Sequence, residues 1–170
     1  TSMVASLSYS KKGLEKHQKE HIYIGEICQT YMNRMLELVD LDTLAYDKVI
    51  SAHRLSKKTD IDRKNREEAI NKAITKAADI PMEILELSIK CLKNILKISK
   101  ICNQNSITDV GVALFMLYSA AKGSAMNVIV NANELDKKTK SRYLEQIEYH
   151  INEGEDLFSK INNTVNSMLK

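Results

Sequence analysis

An aspartate stands where a helix should carry a hydrophobe. In the segment VDLDTLAYDKVISAHRLSK, residues 39–57, helical spacing of ~100° per residue puts Tyr31, Met35, Leu38, Ala45 and Val49 within ~60° of Asp42. Asp42 thus falls in the middle of an apolar stripe. Asp40 points ~160° away, to the opposite side. A carboxylate taken out of water costs on the order of several kcal/mol unless it is paired or neutralised. Two readings follow. Asp42 either pairs with a buried Lys or Arg or caps a neighbouring helix, or it moves protons, because burial disfavours the charged form of a carboxylate.

Other residue types point to chemistry less sharply. His17 and His21 are spaced i, i+4 and could hold a metal on a helix face. Their setting, KHQKEH, reads instead as a solvated face, and no metal site is expected. His53 lies ~20° from Asp42 around the helix but ~16 Å along it, which excludes a direct dyad. Asn127 and Asn131 share a face in the apolar run NVIVN. Buried amides need partners, so these two either bond a neighbouring helix or contact a ligand. Cys28, Cys91 and Cys102 are widely spaced among apolar neighbours, with no CxxC. That is the usage of a reducing compartment and predicts buried thiols in a cytoplasmic protein.

These residues need elements to position them. The chain has 170 residues, 44% apolar and 28% charged, which suits one folded domain rather than a disordered chain. One Pro and five Gly are few punctuators, and strand-like alternation is absent. An all-α protein of long helices is predicted. Net charge is +3, basic residues cluster only in pairs such as Lys11-Lys12 and Lys137-Lys138, and Trp is absent. Nucleic-acid binding finds no support in that pattern. No unbroken apolar run approaches the ~18 residues of a membrane span, so no membrane partner is expected.

The pattern divides into about five helices. Residues 1–10 read as the last turns of a small apolar helix, ended by Ser10-Lys11-Lys12-Gly13. A long pattern from Leu14 to Leu55 predicts a helix of ~60 Å that should kink or break somewhere. Ser56–Asp62 is a turn, with Asp60 or Asp62 as N-cap. The third pattern, Arg63–Cys102, contains Pro81 and should kink or split at Asp79-Ile80. Ser106 or Thr108 caps a fourth helix, running to about Asn131. Its many small residues, Gly111 and Ser119 to Ala125 among them, suit a central helix or one that crosses a partner chain. The fifth helix runs from Lys140 to Leu169. Short connections make neighbours antiparallel, giving an up-and-down bundle.

Several of these segments together, in order and across nearly the whole chain, carry a resemblance. LVDLDTLAYDKVISAHRLSK, AADIPMEILE, NQNSITDVGVALF and NVIVN are similar to segments of the formiminotetrahydrofolate cyclodeaminase / methenyltetrahydrofolate cyclohydrolase family. The resemblance implies a helical homodimer that binds a reduced folate, in mono- or polyglutamylated form, with no cofactor beyond the tetrahydrofolate substrate. It implies one of two reactions. Either 5-formiminotetrahydrofolate closes to 5,10-methenyltetrahydrofolate with loss of ammonia, or the methenyl bridge is opened by water to 10-formyltetrahydrofolate.

Carried over by position, Asp42 becomes the general acid/base. Arg54 and Lys57 match an Arg-Leu-Pro-Lys element, with Ser56 in place of its Pro, and would face glutamate carboxylates. Asp109 would bond the pterin, and Asn127 and Asn131 would contact substrate. Residues 1–170 are expected to form one cyclodeaminase-like domain, with the family's Gly-rich segment lying before Thr1. The competing expectation is a non-catalytic helical scaffold descended from the family.

Overall fold

The computed structural model describes residues 1–170. It contains five α-helices and no strand: α1 (Ser2–Tyr9), α2 (Gln18–His53), α3 (Asp60–Ile98), α4 (Ile107–Ala132) and α5 (Lys137–Met168). Single 3₁₀ turns at Glu15–His17 and Gln104–Ser106 lead into α2 and α4. The all-α bundle matches the expectation, and helix ends fall within about one turn of those read from the pattern. Neither α2 nor α3 breaks. They run 36 and 39 residues without interruption, or ~54 and ~58 Å.

The expected N-cap of α3 is displaced by one residue. Thr59, rather than Asp60 or Asp62, caps the helix: its hydroxyl accepts from the Asp62 amide at 3.1 Å, and the Asp62 carboxylate accepts from the Thr59 amide at 3.2 Å. Two orphan amides are satisfied reciprocally. At the start of α4, Ser106 holds the cap position without a side-chain bond.

The central helix is α3, not the small-residue helix α4. α3 packs against α2, α4 and α5, while α1 lies on α2. From Ile74 onward its buried residues include Ile74, Ala77, Ala78, Met82 and Leu85. Such a sequence spreads apolar surface round most of the helix, so it must be covered on several sides. The small residues Ser119, Ala120 and Gly123 of α4 face outward instead. An 18-residue window within Gln104–Ala132 has mean hydropathy 1.3, yet only 28% of it is buried. α4 is therefore more apolar than its place in one chain requires.

Pro81 sits inside α3 and defines an internal bond. A proline at position 81 has no N–H to give to the carbonyl four residues earlier, that of Ala77. That carbonyl is taken up from another helix: Asn131 of α4 donates Nδ2–H to the Ala77 oxygen at 2.8 Å. The interhelical reading of Asn131 is thus the observed one. One turn away, the buried Tyr143 of α5 donates its hydroxyl proton to Asp79 Oδ1 at 2.6 Å. Burial and the neighbouring Asp79 push the Tyr143 phenol up to about 12. Further along the same seam, Gly154 permits close approach of α5, since a Cβ there would meet Ile89 Cδ1 at 2.9 Å.

Asn131→Ala should cost ~1–3 kcal/mol of unfolding free energy in urea, because it strands a buried carbonyl. Pro81→Ala restores the missing N–H, so the same change in that background should cost less. A double-mutant coupling below ~0.5 kcal/mol would refute the pairing.

Candidate active-site groove

Two cross-helix contacts set the register of α2 against α3. Arg34 holds Glu83 through Nε at 2.7 Å and Nη2 at 3.0 Å, and Arg66 donates from Nε and Nη2 to the His53 carbonyl at 3.2 and 3.1 Å. The helices are antiparallel, and Asp42 stands level with the Lys76–Ala77 turn of α3. Asn131 reaches Ala77 from the other side. Asp42 on α2 and Asn131 on α4 therefore share one level, with α3 between them.

Toward the α1 end the same helices line a cleft of about 580 Å³. Cys28, Met32 and Met35 come from α2, Cys91 from α3 and Leu117 from α4, and α1 closes one end with Met3. Asp42 lies ~20° from Met35 and ~40° from Cys28 around α2, so it belongs to the same side of the helix. The cleft lies between α2 and α4 with α3 as its floor, and Asp42 stands beyond it on the same side of α2.

Asp42 is exposed, which corrects the expectation of a half-buried carboxylate. The apolar stripe of α2 is wider than the strip that α3 covers. Leu38, Ala45 and Ala52 are buried on one shoulder. On the other, Val39 and Tyr46 remain 61% and 65% exposed. Asp42 lies on the border between them. Its carboxylate makes no hydrogen bond or ion pair within the chain.

The other predicted residues separate into groups. Asn127 is exposed and one turn from Asn131. Arg54 and Lys57 are exposed beyond the end of α2, ~18 Å or more from Asp42 along the axis, and neither is ion-paired. The turn that carries them is tied down by Ser56, whose hydroxyl donates to Asp62 Oδ2 at 2.8 Å. Asp109 is half-buried in the first turn of α4. It lies ~33 Å along that helix from Asn131, at the opposite end of the bundle. One chain does not bring Asp109 and Asp42 together.

His21 departs from its expected solvated face. It is 1% exposed, with Nε2 2.9 Å from the Ile101 carbonyl, and it fastens α2 to the turn after α3. Its partner in spacing, His17, contacts Glu20 at 2.9 Å. The thiols of Cys28 and Cys91 are buried, as expected. They interact across the α2–α3 seam: the Cys91 thiol holds the Cys28 thiol down, and the same interaction together with burial pushes Cys91 up.

A second cleft, of about 900 Å³, went unnoticed in the sequence. It lies between the C-terminal half of α2 and the N-terminal half of α3, and it presents Lys48, Lys72, Lys76 and Asp79. The spacing of Lys72, Lys76 and Asp79 at i, i+4 and i+7 was the available signal. Asp79 is already engaged by Tyr143, so this cleft offers cations but no uncommitted carboxylate.

An all-helical bundle with an apolar cleft between α2 and α4, and an uncommitted carboxylate further along the same side of α2, defines a class of fold and a candidate site. The family to which it belongs is given by comparison. The model of the formiminotransferase-cyclodeaminase family matches residues 1–149, and the chain belongs to that family. A methenyltetrahydrofolate cyclohydrolase of Methylorubrum extorquens is 28% identical over 167 residues, covering 98% of this chain and 80% of the relative. The formimidoyltransferase-cyclodeaminase of Gallus gallus is 26% identical over 141 residues, which are 82% of this chain but 26% of that protein. The crystal structure of formiminotetrahydrofolate cyclodeaminase from Thermotoga maritima superposes with a TM-score of 0.89 at 21% identity, covering 99% of this chain and 81% of the other. At that identity the likeness speaks for the fold. Together, the family and these relatives support an enzyme of folate one-carbon metabolism.

The Arg34–Glu83 pair that sets the groove's register also carries a pH dependence. The Arg34 guanidinium holds Glu83 below its ordinary value of 4.5. The unfolded chain then binds that proton more readily. The stabilisation is whole above about 4.5 and is lost as pH falls through the lower, folded value. Both side chains are 39% exposed, so the effect should be modest. Glu83→Gln should flatten the fall in stability between about pH 5 and pH 3. Unchanged acid sensitivity in urea melts would remove the pair from this role.

Proposed function

We propose that this protein hydrolyses 5,10-methenyltetrahydrofolate to 10-formyltetrahydrofolate in the groove between α2 and α4, with Asp42 as general acid/base. The observation that carries this reading is the cyclohydrolase relative, which matches over 98% of this chain and 80% of its own length. A water attacks the carbon between N5 and N10. Asp42 takes a proton from that water and a tetrahedral carbon forms. The C–N5 bond then breaks, N5 receives a proton from Asp42, and the hydroxyl on carbon loses its own as the formyl group forms. Asn127, with its amide unengaged, contacts the folate. Asn131 is committed to Ala77 through Nδ2, so only its oxygen is left for substrate. Arg54 and Lys57, at the open end of α2, meet the glutamate carboxylates. The three thiols, none in a disulfide, suit work in the cytoplasm.

Cyclodeamination is the second reading, favoured by the avian relative and by the family description. It would use the same groove. N10 attacks the formimino carbon, and Asp42 supplies the proton that lets ammonia leave.

One absorbance assay separates the two, because the methenyl compound absorbs in the near ultraviolet much more strongly than its neighbours. A fall with the methenyl compound, faster than its spontaneous hydrolysis, is expected. A rise with the formimino compound would assign the cyclodeaminase. Asp42→Asn should cost at least ~100-fold in turnover and leave the melting temperature unchanged. An active variant would refute the role of Asp42, and no change with either folate would favour a scaffold.

The groove is open in one chain, and we propose that a second copy covers it. Val112, Phe115, Met116, Met126 and Val130 on α4 are 55–69% exposed, and Gly123 has open space before it. None of these side chains is charged, so two copies of the patch meet without repulsion, and its small residues permit close helix approach. Sedimentation should give a dimer, and Val112→Lys with Met116→Lys should give a folded monomer with reduced turnover. A wild-type monomer at working concentration would overturn this.

A further inference from the structure

The narrow end of the groove is lined by sulfur. Five residues around the 580 Å³ cleft carry it: Cys28, Cys91, Met3, Met32 and Met35. Cys28 and Cys91 stand level on adjacent helices and line the same cleft, and they are 7% and 6% exposed. Met32 is one turn from Cys28 on the same strip of α2, ~6 Å along the axis, with a flexible side chain. No carboxylate, imidazole or ammonium side chain lines this cleft. Nowhere in the chain do three His, Cys, Asp or Glu side chains gather within metal-binding reach.

That donor set is selective. Hard cations want oxygen ligands, and structural zinc wants four nitrogen or thiolate ligands. Two thiols with nearby thioethers suit a soft, low-charge ion. We propose that Cys28, Cys91 and Met32 form a binding site for a soft monovalent metal ion of the copper(I) or silver(I) class. Each thiol that binds the ion gives up its proton to solvent, and no electron is transferred. The site uses neither Asp42 nor Asn131.

The test is a competition titration of the reduced full chain with copper(I) against a chromophoric copper(I) chelator, without oxygen. One equivalent should be held by the protein. Cys28→Ser and Cys91→Ser should each weaken binding beyond the ~10–100-fold typical of losing a supporting partner, and Met32→Leu should weaken it ~10-fold. Cys102→Ser, remote from the cleft, should leave it unchanged. X-ray absorption should find copper bonded to sulfur alone, a readout that holds even where a cysteine variant folds poorly. Copper wholly lost to the chelator, an equal effect of Cys102→Ser, or oxygen or nitrogen bonded to copper would each overturn the site.

Discussion

The bundle depends on one carbonyl. α3 must run unbroken while three helices pack on it, and Pro81 removes the amide that would have bonded the Ala77 oxygen. A buried carbonyl without a partner costs ~1–3 kcal/mol, a sizeable share of the stability of a domain this size. The chain answers from outside the helix, with the Asn131 amide. That bond closes the backbone account of α3 and fixes the level of α4 against it. The facing helices then have no freedom to slide by a turn without stranding the same oxygen again. The proline therefore acts less as a breaker than as a register mark.

The groove follows from that register. Arg34 with Glu83 and Arg66 with the His53 carbonyl align α2 on α3, and Asn131 aligns α4 on α3. Together they bring residues nearly ninety positions apart in sequence to one height. Asp42 and Asn131 therefore stand at one height on either side of α3, and neither contacts the other. The same arithmetic separates Asp109 from them. Its place near the start of α4 puts it at the opposite end of the bundle, and no rotation of a side chain recovers ~33 Å.

The helices were legible because each has a long 3.6-residue pattern and few residues that break it. The pattern says which residues could be covered, not how much of the stripe a neighbour does cover. Asp42 shows the difference. Its position in the apolar stripe was read correctly, yet the stripe is only half covered within one chain, and Asp42 lies on the uncovered border. His21 failed in the other direction. Its charged neighbours gave it a solvated look, but its partner is a carbonyl eighty residues on, which no local pattern contains. The lysine cleft stayed hidden for a similar reason: half of it comes from α2 and half from α3. Asn131 left two readings open, and the decisive fact was Pro81, fifty residues away. A proline inside a helix and an asparagine on an apolar face are each odd alone and make sense as a pair.

An exposed carboxylate is a poor place to leave proton chemistry. Water competes for its hydrogen bonds and screens its field, so the advantage of a placed acid or base falls. The exposed residues near Asp42 and on the outer face of α4 include large apolar ones. Val39 and Tyr46 on α2 flank Asp42, and Val112 and Met116 stand on the outer face of α4. In the proposed dimer, covering those side chains would remove water from Asp42 without moving it. The hydrophobic gain from burying them, about 25 cal/mol per Å² of apolar surface, would offset the cost of desolvating one carboxylate. In the proposed dimer association and catalysis would draw on the same surface, and the charge that looks misplaced in one chain would become the group that the closed site is built around.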